Sequence, residues 1–437
     1  MTYDVARRAP ADLWHTLGNA DAVHGLYYLL MHGLFRLFGD ADPLLVLRVP
    51  SVFAMGAATA GVALLGLRLA GPRTGLLAGV VFAVLPSVQR HAQDGRSYAM
   101  VCALVVWATY VLVTVSSTGG RSRRLWWGYG ASMLLACLLH EFAVFVLPAH
   151  AVVLPRAARR TWAAAAGVVI AGVAPLSALS YRQQKQVSWL DVNLGLYAGA
   201  AGVCLLGTCC AALLKVTVPG GGRPQALVRP ALALLVVPVS LLVLLAPLKP
   251  LFVERYVMYS MAGAALLVGA LLDRALSGRR WLAAVAVTAA GAGLVALLPV
   301  TLELRTSAGR LDDAVGAAHA IREVGREGDA VVYMPLRRRV WSLAAPGAAV
   351  GLRDIALDRA PAASGTLYGT EVPAGVIRDR MRAESRIVLV TDPSRENDDR
   401  VARETGKWDV IKDGFQKCRA LSARGARVTL YARPSRC

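Results

Sequence analysis

Three short stretches of this sequence bring together side chains able to do chemistry. The first is Asp21-Ala-Val-His24-Gly-Leu-Tyr27-Tyr28, which gathers an acid, an imidazole and two phenols. If the segment is helical, Asp21 and His24 stand at i and i+3 and share a face. That spacing suits an acid that orients a base; the alternative is a His24 that caps the turn or is simply solvated. The second is Gln93-Asp94-Gly-Arg96-Ser-Tyr98. Its carboxylate can act as a base on an acceptor hydroxyl or hold a sugar, and its guanidinium can grip a phosphate bidentately. It reads equally as a solvated loop with a local charge pair. The third is Lys249-Pro-Leu-Phe-Val-Glu254-Arg255-Tyr256. Lys249 and Arg255 could neutralise a phosphate, or Glu254 and Arg255 could neutralise each other. Two weaker groups accompany these. Gln186 and Trp189 lie in an amide-rich loop that suits either sugar binding or interfacial anchoring. His140-Glu141 could ligate a metal or form a base and its partner, so a divalent metal ion is the one cofactor the residues leave open.

The elements that must position these groups are apolar. Hydrophobic residues make up 56% of the chain and charged residues only 17%, with a mean hydropathy of +0.49. Runs long enough to cross a bilayer recur to about residue 300 and then stop. The expected fold class is an α-helical polytopic membrane protein with about ten spans. They cover residues 49–67, 75–88, 98–115, 125–139, 142–154, 161–179, 194–214, 230–245, 256–272 and 281–300. Residues 125–154 read either as one long helix or as a hairpin with His140-Glu141 at its tip; the hairpin keeps the flanking arginines on one side.

Loop charge then sets the topology. One set of loops carries Arg68 and Arg73, Arg121 to Arg124, Arg156 to Arg160, Lys215 to Arg229 and Arg274 to Arg280, with Asp273 as its acid. By the positive-inside rule that set is cytoplasmic. The loops with Asp94, Glu141, Asp191 and Glu254 are then outside, together with both terminal segments. The net charge of +20 lies largely in these short loops, where it acts on topology and on anionic headgroups, so a nucleic-acid partner is excluded.

Three regions are expected. Residues 1–48 form an outer loop with an interfacial helix, in which Leu26, Leu29, Leu30, Leu34 and Leu37 make an apolar stripe. Residues 49–300 form the helical membrane domain. Residues 301–437 form an extracytoplasmic α/β domain. In it Asp329–Pro335, Arg386–Asp392 and Val428–Arg433 read as strands. No Gly-x-Gly-x-x-Gly fingerprint follows a strand there, which argues against a nucleotide site. Cys418 and Cys437 lie in the same domain and could pair if it faces an oxidising compartment; no cysteine spacing matches a zinc site.

Asp21-Ala-Val-His-Gly-Leu-Tyr-Tyr, Leu37-Phe-Gly39, Leu47-Arg-Val-Pro-Ser51, Ala92-Gln-Asp94-Gly-Arg96-Ser-Tyr98 and Phe252-Val-Glu-Arg255-Tyr256 come in an order that resembles the GT-C superfamily of membrane glycosyltransferases. The nearest likeness is to the protein O-mannosyltransferase and aminoarabinose transferase branch, and within it to actinobacterial mannosyltransferase-like members. The resemblance implies inverting transfer of a sugar from a polyprenyl-phosphate donor to a protein, glycan or lipid acceptor at the outer face of the cell membrane. Arg96, Lys249 and Arg255 would then face the leaving phosphate. Asp94 would orient acceptor or donor, and Asp21 and His24 would lie near the phosphate as catalytic groups. Tyr27, Tyr28, Gln186 and Trp189 would complete the substrate contacts.

The same resemblance implies an Asp-Glu pair after a first helix, in a pattern like Asp-Glu-Ala-x-Thr. This sequence opens Met1-Thr2-Tyr3-Asp4, with Thr2 at the place of that Thr. The expectation is that a helix and the acidic pair lie upstream of Met1, an internal GTG codon having served as the start. Otherwise Asp4 or Asp12 would have to substitute, or the protein would be an inactive relative. A transporter or lipid flippase is the alternative from another class. It would bury ionisable groups at the membrane midplane and show repeated halves; neither feature stands out here.

Overall fold

The computed structural model describes residues 1–117, 122–183, 194–217, 223–246, 252–306, 313–343, 347–393 and 402–437. The chain forms two compact units. One is Asp21–Thr301; the other joins Met1–Ala20 to Leu302–Cys437. The first 48 residues, expected as one segment, therefore divide between the units at Ala20 and Asp21.

In Asp21–Thr301 every expected apolar run is helical among the described residues. Among the described residues seven helices are long and apolar enough to cross a membrane: Pro43–Leu69, Tyr98–Ser117, Arg156–Arg182, Leu194–Val216, Ala226–Leu244, Glu254–Leu276 and Arg280–Glu303. An eighth is a broken pair, Pro72–Val84 and Pro86–Ala92, bent by 66°. Pro86 supplies the physical cause, since it lacks an N–H and forces the preceding residue out of the helical region. The remaining two runs are the short helices Arg123–Leu139, of 17 residues, and Glu141–Val153. His140 separates them in an extended conformation, φ −164°, so this stretch is two short helices rather than one long one. At about 1.5 Å rise per residue neither reaches the roughly 30 Å of a bilayer core.

Without a hydrophobic drive between helices in lipid, close backbone approach has to hold them together. A Cβ on Gly75 would lie 2.5 Å from the Ala63 carbonyl oxygen, and one on Gly269 would lie 2.6 Å from the Ala78 nitrogen. Glycine at these two positions lets Pro43–Leu69, Pro72–Val84 and Met261–Leu276 meet. A buried polar chain ties further helices. Trp162 Nε1 donates to Tyr129 OH at 3.0 Å. The two ring nitrogens of His150 lie 3.0 Å from Tyr129 OH and 3.0 Å from Thr109 Oγ1.

The segment expected to be interfacial is the helix Gly25–Leu37. It buries Tyr27, Tyr28, Met31 and Phe35 against the unit, while Leu30 and Leu37 are exposed. The leucine stripe thus turns outward and the aromatic face turns inward.

The second unit is a three-layer α/β/α sandwich built on a five-stranded sheet. Its strands are β1 Ala330–Met334, β2 Arg353–Asp354, β5 Arg386–Thr391, β6 Gln416–Ala423 and β7 Ala426–Ala432; β3 Leu357–Arg359 and β4 Thr370–Glu371 form a separate pair. The order is β2-β1-β5-β7-β6. β1 runs parallel to β2 and β5, and β7 runs antiparallel to β5 and β6. Side chains alternate along each strand. Val332, Ile387 and Leu389 pack on one face with Ile377, Met381 and Trp408. Val331, Val388 and Val428 pack on the other with Ile321 and Val324. Cys418 and Cys437 are joined by a disulfide. Arg8 belongs to this unit: it pairs with Asp4 at 2.6 Å and donates to the Thr366 carbonyl at 2.8 Å.

Candidate functional site

Four breaks in helical structure within Asp21–Thr301 bring the candidate residues together. Asp21 has φ +57°, in the left-handed region. Aspartate tolerates that region better than most residues. This turn starts the short 3-10 segment Ala22–His24 and the helix Gly25–Leu37, which aims Asp21, His24 and Tyr28 at one another. The second break follows Pro86–Ala92 and carries Asp94 and Arg96; the buried Ser51 hydroxyl pins it by donating to the Asp94 carbonyl at 2.6 Å. The third is the His140 break. The fourth is the 3-10 segment Glu254–Ser260, which carries Arg255 and Tyr256.

Asp21 is the hub. His24 Nδ1 lies 2.9 Å from its Oδ1, and Tyr28 OH donates to its Oδ2. Arg96 Nη1 stands 4.0 Å from that same oxygen and donates to Tyr28 OH at 3.4 Å. Burial alone would raise the Asp21 pKa, but the charge and hydrogen bond of His24, the Arg96 charge and the Tyr28 hydrogen bond outweigh it and lower it to about 2. Tyr28 is pushed well above the usual phenol value by burial and by Asp21, and so stays a donor. Asp94 shows a second, looser pair: His91 Nδ1 lies 3.2 Å from its Oδ2, with the Asp94 side chain 45% exposed. Burial pulls its pKa upward; the His91 hydrogen bond and charge, then Arg96 and Arg255, hold it below the usual carboxylate value. Arg96 and Arg255 therefore both act on Asp94, although they come from different loops.

Aromatic rings wall this group. His24 packs 5.9 Å from His140 and 6.2 Å from Tyr98, centroid to centroid, and His140 packs 4.7 Å from Tyr256. Arg255 lies over the Tyr98 and Tyr256 rings at 5.7 and 5.6 Å, which holds its guanidinium by cation–π attraction. Burial, then the His24 and Arg255 charges, depress the His140 pKa well below the ordinary imidazole value, so this ring is neutral. Among the described residues, His24 Nε2, Tyr27 OH, His140 Nδ1 and Arg255 Nε are buried and make no hydrogen bond within the protein. Arg90 and Glu254 form an exposed pair at the rim, 3.4 Å apart, of the kind that contributes little to stability.

Seven of the sequence candidates thus gather in one unit: Asp21, His24, Tyr27, Tyr28, Asp94, Arg96 and Arg255. Gln186, Trp189 and Lys249 lie outside the described residues. The His140-Glu141 pair does not act as one group. Glu141 Oε1 accepts from Ser180 Oγ at 2.8 Å, while His140 turns to Tyr256 and His24. Among the described residues no group of three or more His, Cys, Asp and Glu side chains is placed to hold a metal ion. From the sequence Tyr98 and Ser51 are named only as parts of motifs, and His91 is given no role. The His91–Asp94 spacing of three residues, the same as Asp21–His24, was the available signal.

No protein-family model matches the chain, and no curated protein sequence matches it. Solved structures do. ArnT from Cupriavidus metallidurans in the apo state is 12% identical with a TM-score of 0.52, over 98% of this chain and 95% of that one. The same protein bound to undecaprenyl phosphate is 12% identical with a TM-score of 0.50, over 92% and 87%. The archaeal oligosaccharyltransferase AglB from Archaeoglobus fulgidus, in complex with an inhibitory peptide and a dolichol-phosphate, gives a TM-score of 0.43 at 12% identity, over 94% and 66%. Fold and span content together define a polytopic membrane protein. Its fold is similar to that of ArnT.

Proposed function

We propose that the chain is an inverting membrane glycosyltransferase that takes a sugar from a polyprenyl-phosphate donor at the outer face of the membrane. The observation that carries this reading is the gathering of Arg96 and Arg255 around Asp21, His24 and Asp94 at helix breaks. A phosphate leaving group gains negative charge as the sugar departs, and fixed cations facing it lower that barrier. Arg96 is partly buried, and Tyr28 and Asp21 hold it charged against the opposing effect of desolvation. Arg255 is held against two aromatic rings, and Lys249 is a third candidate cation. Tyr27 and Tyr28 offer hydroxyls to the sugar or phosphate, with Gln186 and Trp189 as further sugar contacts. Asp94 is partly exposed and ionised, suited to accept a hydrogen bond from an incoming hydroxyl and orient it.

The likeness to ArnT, which was crystallised with undecaprenyl phosphate, supports the donor class. The loop charges support a cytoplasmic position for Arg68, Arg73 and Arg156 and an outer one for the site. The Cys418–Cys437 disulfide supports an extracytoplasmic tail, since such bonds persist in oxidising compartments. The acceptor is a protein, glycan or lipid of the cell envelope, and the mannosyltransferase-like branch is the favoured place for this chain.

The test is transfer by membranes carrying the chain, supplied with undecaprenyl phosphate bearing labelled mannose or arabinose. The reading expects label in an envelope acceptor and free undecaprenyl phosphate in equal amount. Movement of intact labelled lipid across the membrane without either product would favour a flippase.

A further inference from the structure

We propose that the C-terminal unit carries a binding site of its own, between the carboxyl ends of β1 and β5, where Arg337 and Arg338 take a singly charged oxyanion. The ligand class is a phosphodiester or a carboxylate, both of which spread one negative charge over two oxygens. The site is separate from the glycosyltransferase reading and stands or falls without it.

Sheet topology gives the place. β1 and β5 are adjacent and parallel. From β1 the chain moves to β2 on one side; from β5 it moves to β6 and β7 on the other. Connections that diverge in this way leave a crevice outside the strands' carboxyl ends, which is where open α/β sheets take up ligands. The residues that follow the two strands meet there. Arg337 and Arg338 follow β1 in the short 3-10 segment Leu336–Arg339, and Asp392 follows β5. Arg337 Nη2 donates to Asp392 Oδ2 at 2.9 Å, and Arg338 pairs with Oδ1. One carboxylate therefore bridges two guanidiniums across the crevice.

These groups have more to offer than their mutual pairing uses. The Arg337 side chain is 47% exposed and Asp392 only 9%. A guanidinium has five N–H donors in a planar fork, so Arg337 keeps donors for an incoming group. Arg338 lies over the Trp341 ring at 5.8 Å. Trp341 is 3% exposed, and its Nε1–H, which can only donate, has no acceptor among the described residues. A buried donor left unpaired costs stability, and a ligand oxygen would satisfy it. Neighbouring cations are committed elsewhere. Arg339 is held by Asp354 at 2.6 Å and by the Tyr368 carbonyl at 2.6 Å. On the Trp408 face of the sheet the end of β1 is closed by Lys407, which is buried and bonded to the Tyr333 carbonyl at 3.1 Å and to Glu371 at 3.0 Å. Access is thus from the Trp341 face.

Charge and shape set the ligand class. Two guanidiniums against one carboxylate leave a single positive charge, which matches one negative charge on the ligand. Asp392 already shows the shape that the pair accepts, two oxygens on one centre, and arginine forks favour that pattern in carboxylates and phosphates alike. Asp392 is in this sense an internal competitor for the ligand.

The experiment titrates the purified full-length chain in detergent by calorimetry. The probes are glucuronate, glycerophosphoglycerol and dihexanoylphosphatidylglycerol below its micelle concentration, with glycerol as the neutral control. Arg96 and Arg255 offer cations in the membrane unit, so the readout is the change made by substitutions in the C-terminal unit. Arg337→Gln is expected to weaken binding of at least one anion by about tenfold or more, and Arg337→Lys to recover part of it. Trp341→Phe removes the indole N–H and is expected to weaken the same anion by about tenfold. Asp392→Asn removes the competitor and is expected to tighten it by about threefold to tenfold. The tightest probe names the source: glucuronate an acidic glycan, glycerophosphoglycerol a soluble phosphodiester, the short-chain lipid a phospholipid headgroup. Binding of all three anions that ignores Arg337→Gln overturns the proposal. So does a monodisperse Asp392→Asn chain that binds them no more tightly than the wild type, as expected if the three side chains form only a structural ion pair. Sugar transfer is read separately: a chain that binds the anions in this way but transfers no sugar contradicts the proposed function alone.

Discussion

Two aspartate–histidine pairs of equal spacing sit in this membrane unit, and they meet different surroundings. In Asp21–His24 both side chains are nearly closed to solvent, 12% and 11% exposed. In His91–Asp94 the imidazole is 5% exposed and the carboxylate 45%. The same three-residue spacing therefore yields opposite offers. In the first pair the acid is consumed by its partners and the far nitrogen of the ring is left over. In the second the ring is packed away and the carboxylate is left over. Environment, more than residue type or spacing, decides which group of each pair is left over. Arg96 acts on both acids and so links the two pairs electrostatically.

The largest effect is expected from removing that link. Arg96→Met should lower sugar transfer by on the order of a thousandfold or more, combining loss of a phosphate partner with disturbance of Asp21. It should also weaken binding of undecaprenyl phosphate, read by quenching or calorimetry. Unchanged binding would place the phosphate elsewhere and break the comparison at its centre.

A sharper division comes from paired amide variants. Asp21→Asn tolerates the left-handed turn but no longer fixes the His24 tautomer, and should lower kcat by about a hundredfold or more. Asp94→Asn keeps a hydrogen-bonding group in place and should cost about tenfold, mostly as a raised acceptor KM. Equal losses in kcat, or a larger one at Asp94, would show that the two pairs are not distinguished by burial.

The smallest effect concerns stability. The Asp21 pKa is lowered from 3.8 to about 2, so the folded state favours its ionised form. The associated stability is fully present above pH 3.8 and is lost as pH falls through about 2. It is on the order of 2 kcal/mol. Acid unfolding of the purified protein between these values should be blunted in Asp21→Asn, while Asp94→Asn, with its more exposed carboxylate, should change the curve less.

The helical membrane unit was largely legible from residue order, because uninterrupted Ala, Leu and Val runs leave the backbone few alternatives in lipid. The breaks within the helices were less so. His140 breaks residues 125–154 through its local backbone, Pro86 bends the earlier candidate at residues 75–88, and neither event alters hydropathy. In the C-terminal domain β1, β5 and β7 announced themselves as buried apolar runs. β6 did not, since an edge strand carrying Lys417, Arg419 and Ser422 has no such run. The docking of Met1–Ala20 on the tail unit depends on Arg8 reaching Thr366, a contact between residues far apart in the chain. At the site, Asp21–His24 could be read from spacing and Asp94 with Arg96 from proximity. The meeting of these loops with His140 and Arg255 is a property of the packed helices, visible only once they are folded.

The central claim, that cations at these helix breaks serve a polyprenyl-phosphate leaving group, is tested most directly by one reconstitution. Purified chain in liposomes is given undecaprenyl phosphate bearing labelled mannose or arabinose with envelope acceptor, and undecaprenyl phosphate and acceptor label are quantified together. The account predicts their equimolar appearance with the wild-type chain and its collapse in Arg96→Met. Label that stays wholly on the lipid with the wild-type chain, or appears at an equal rate with Arg96→Met, would contradict it.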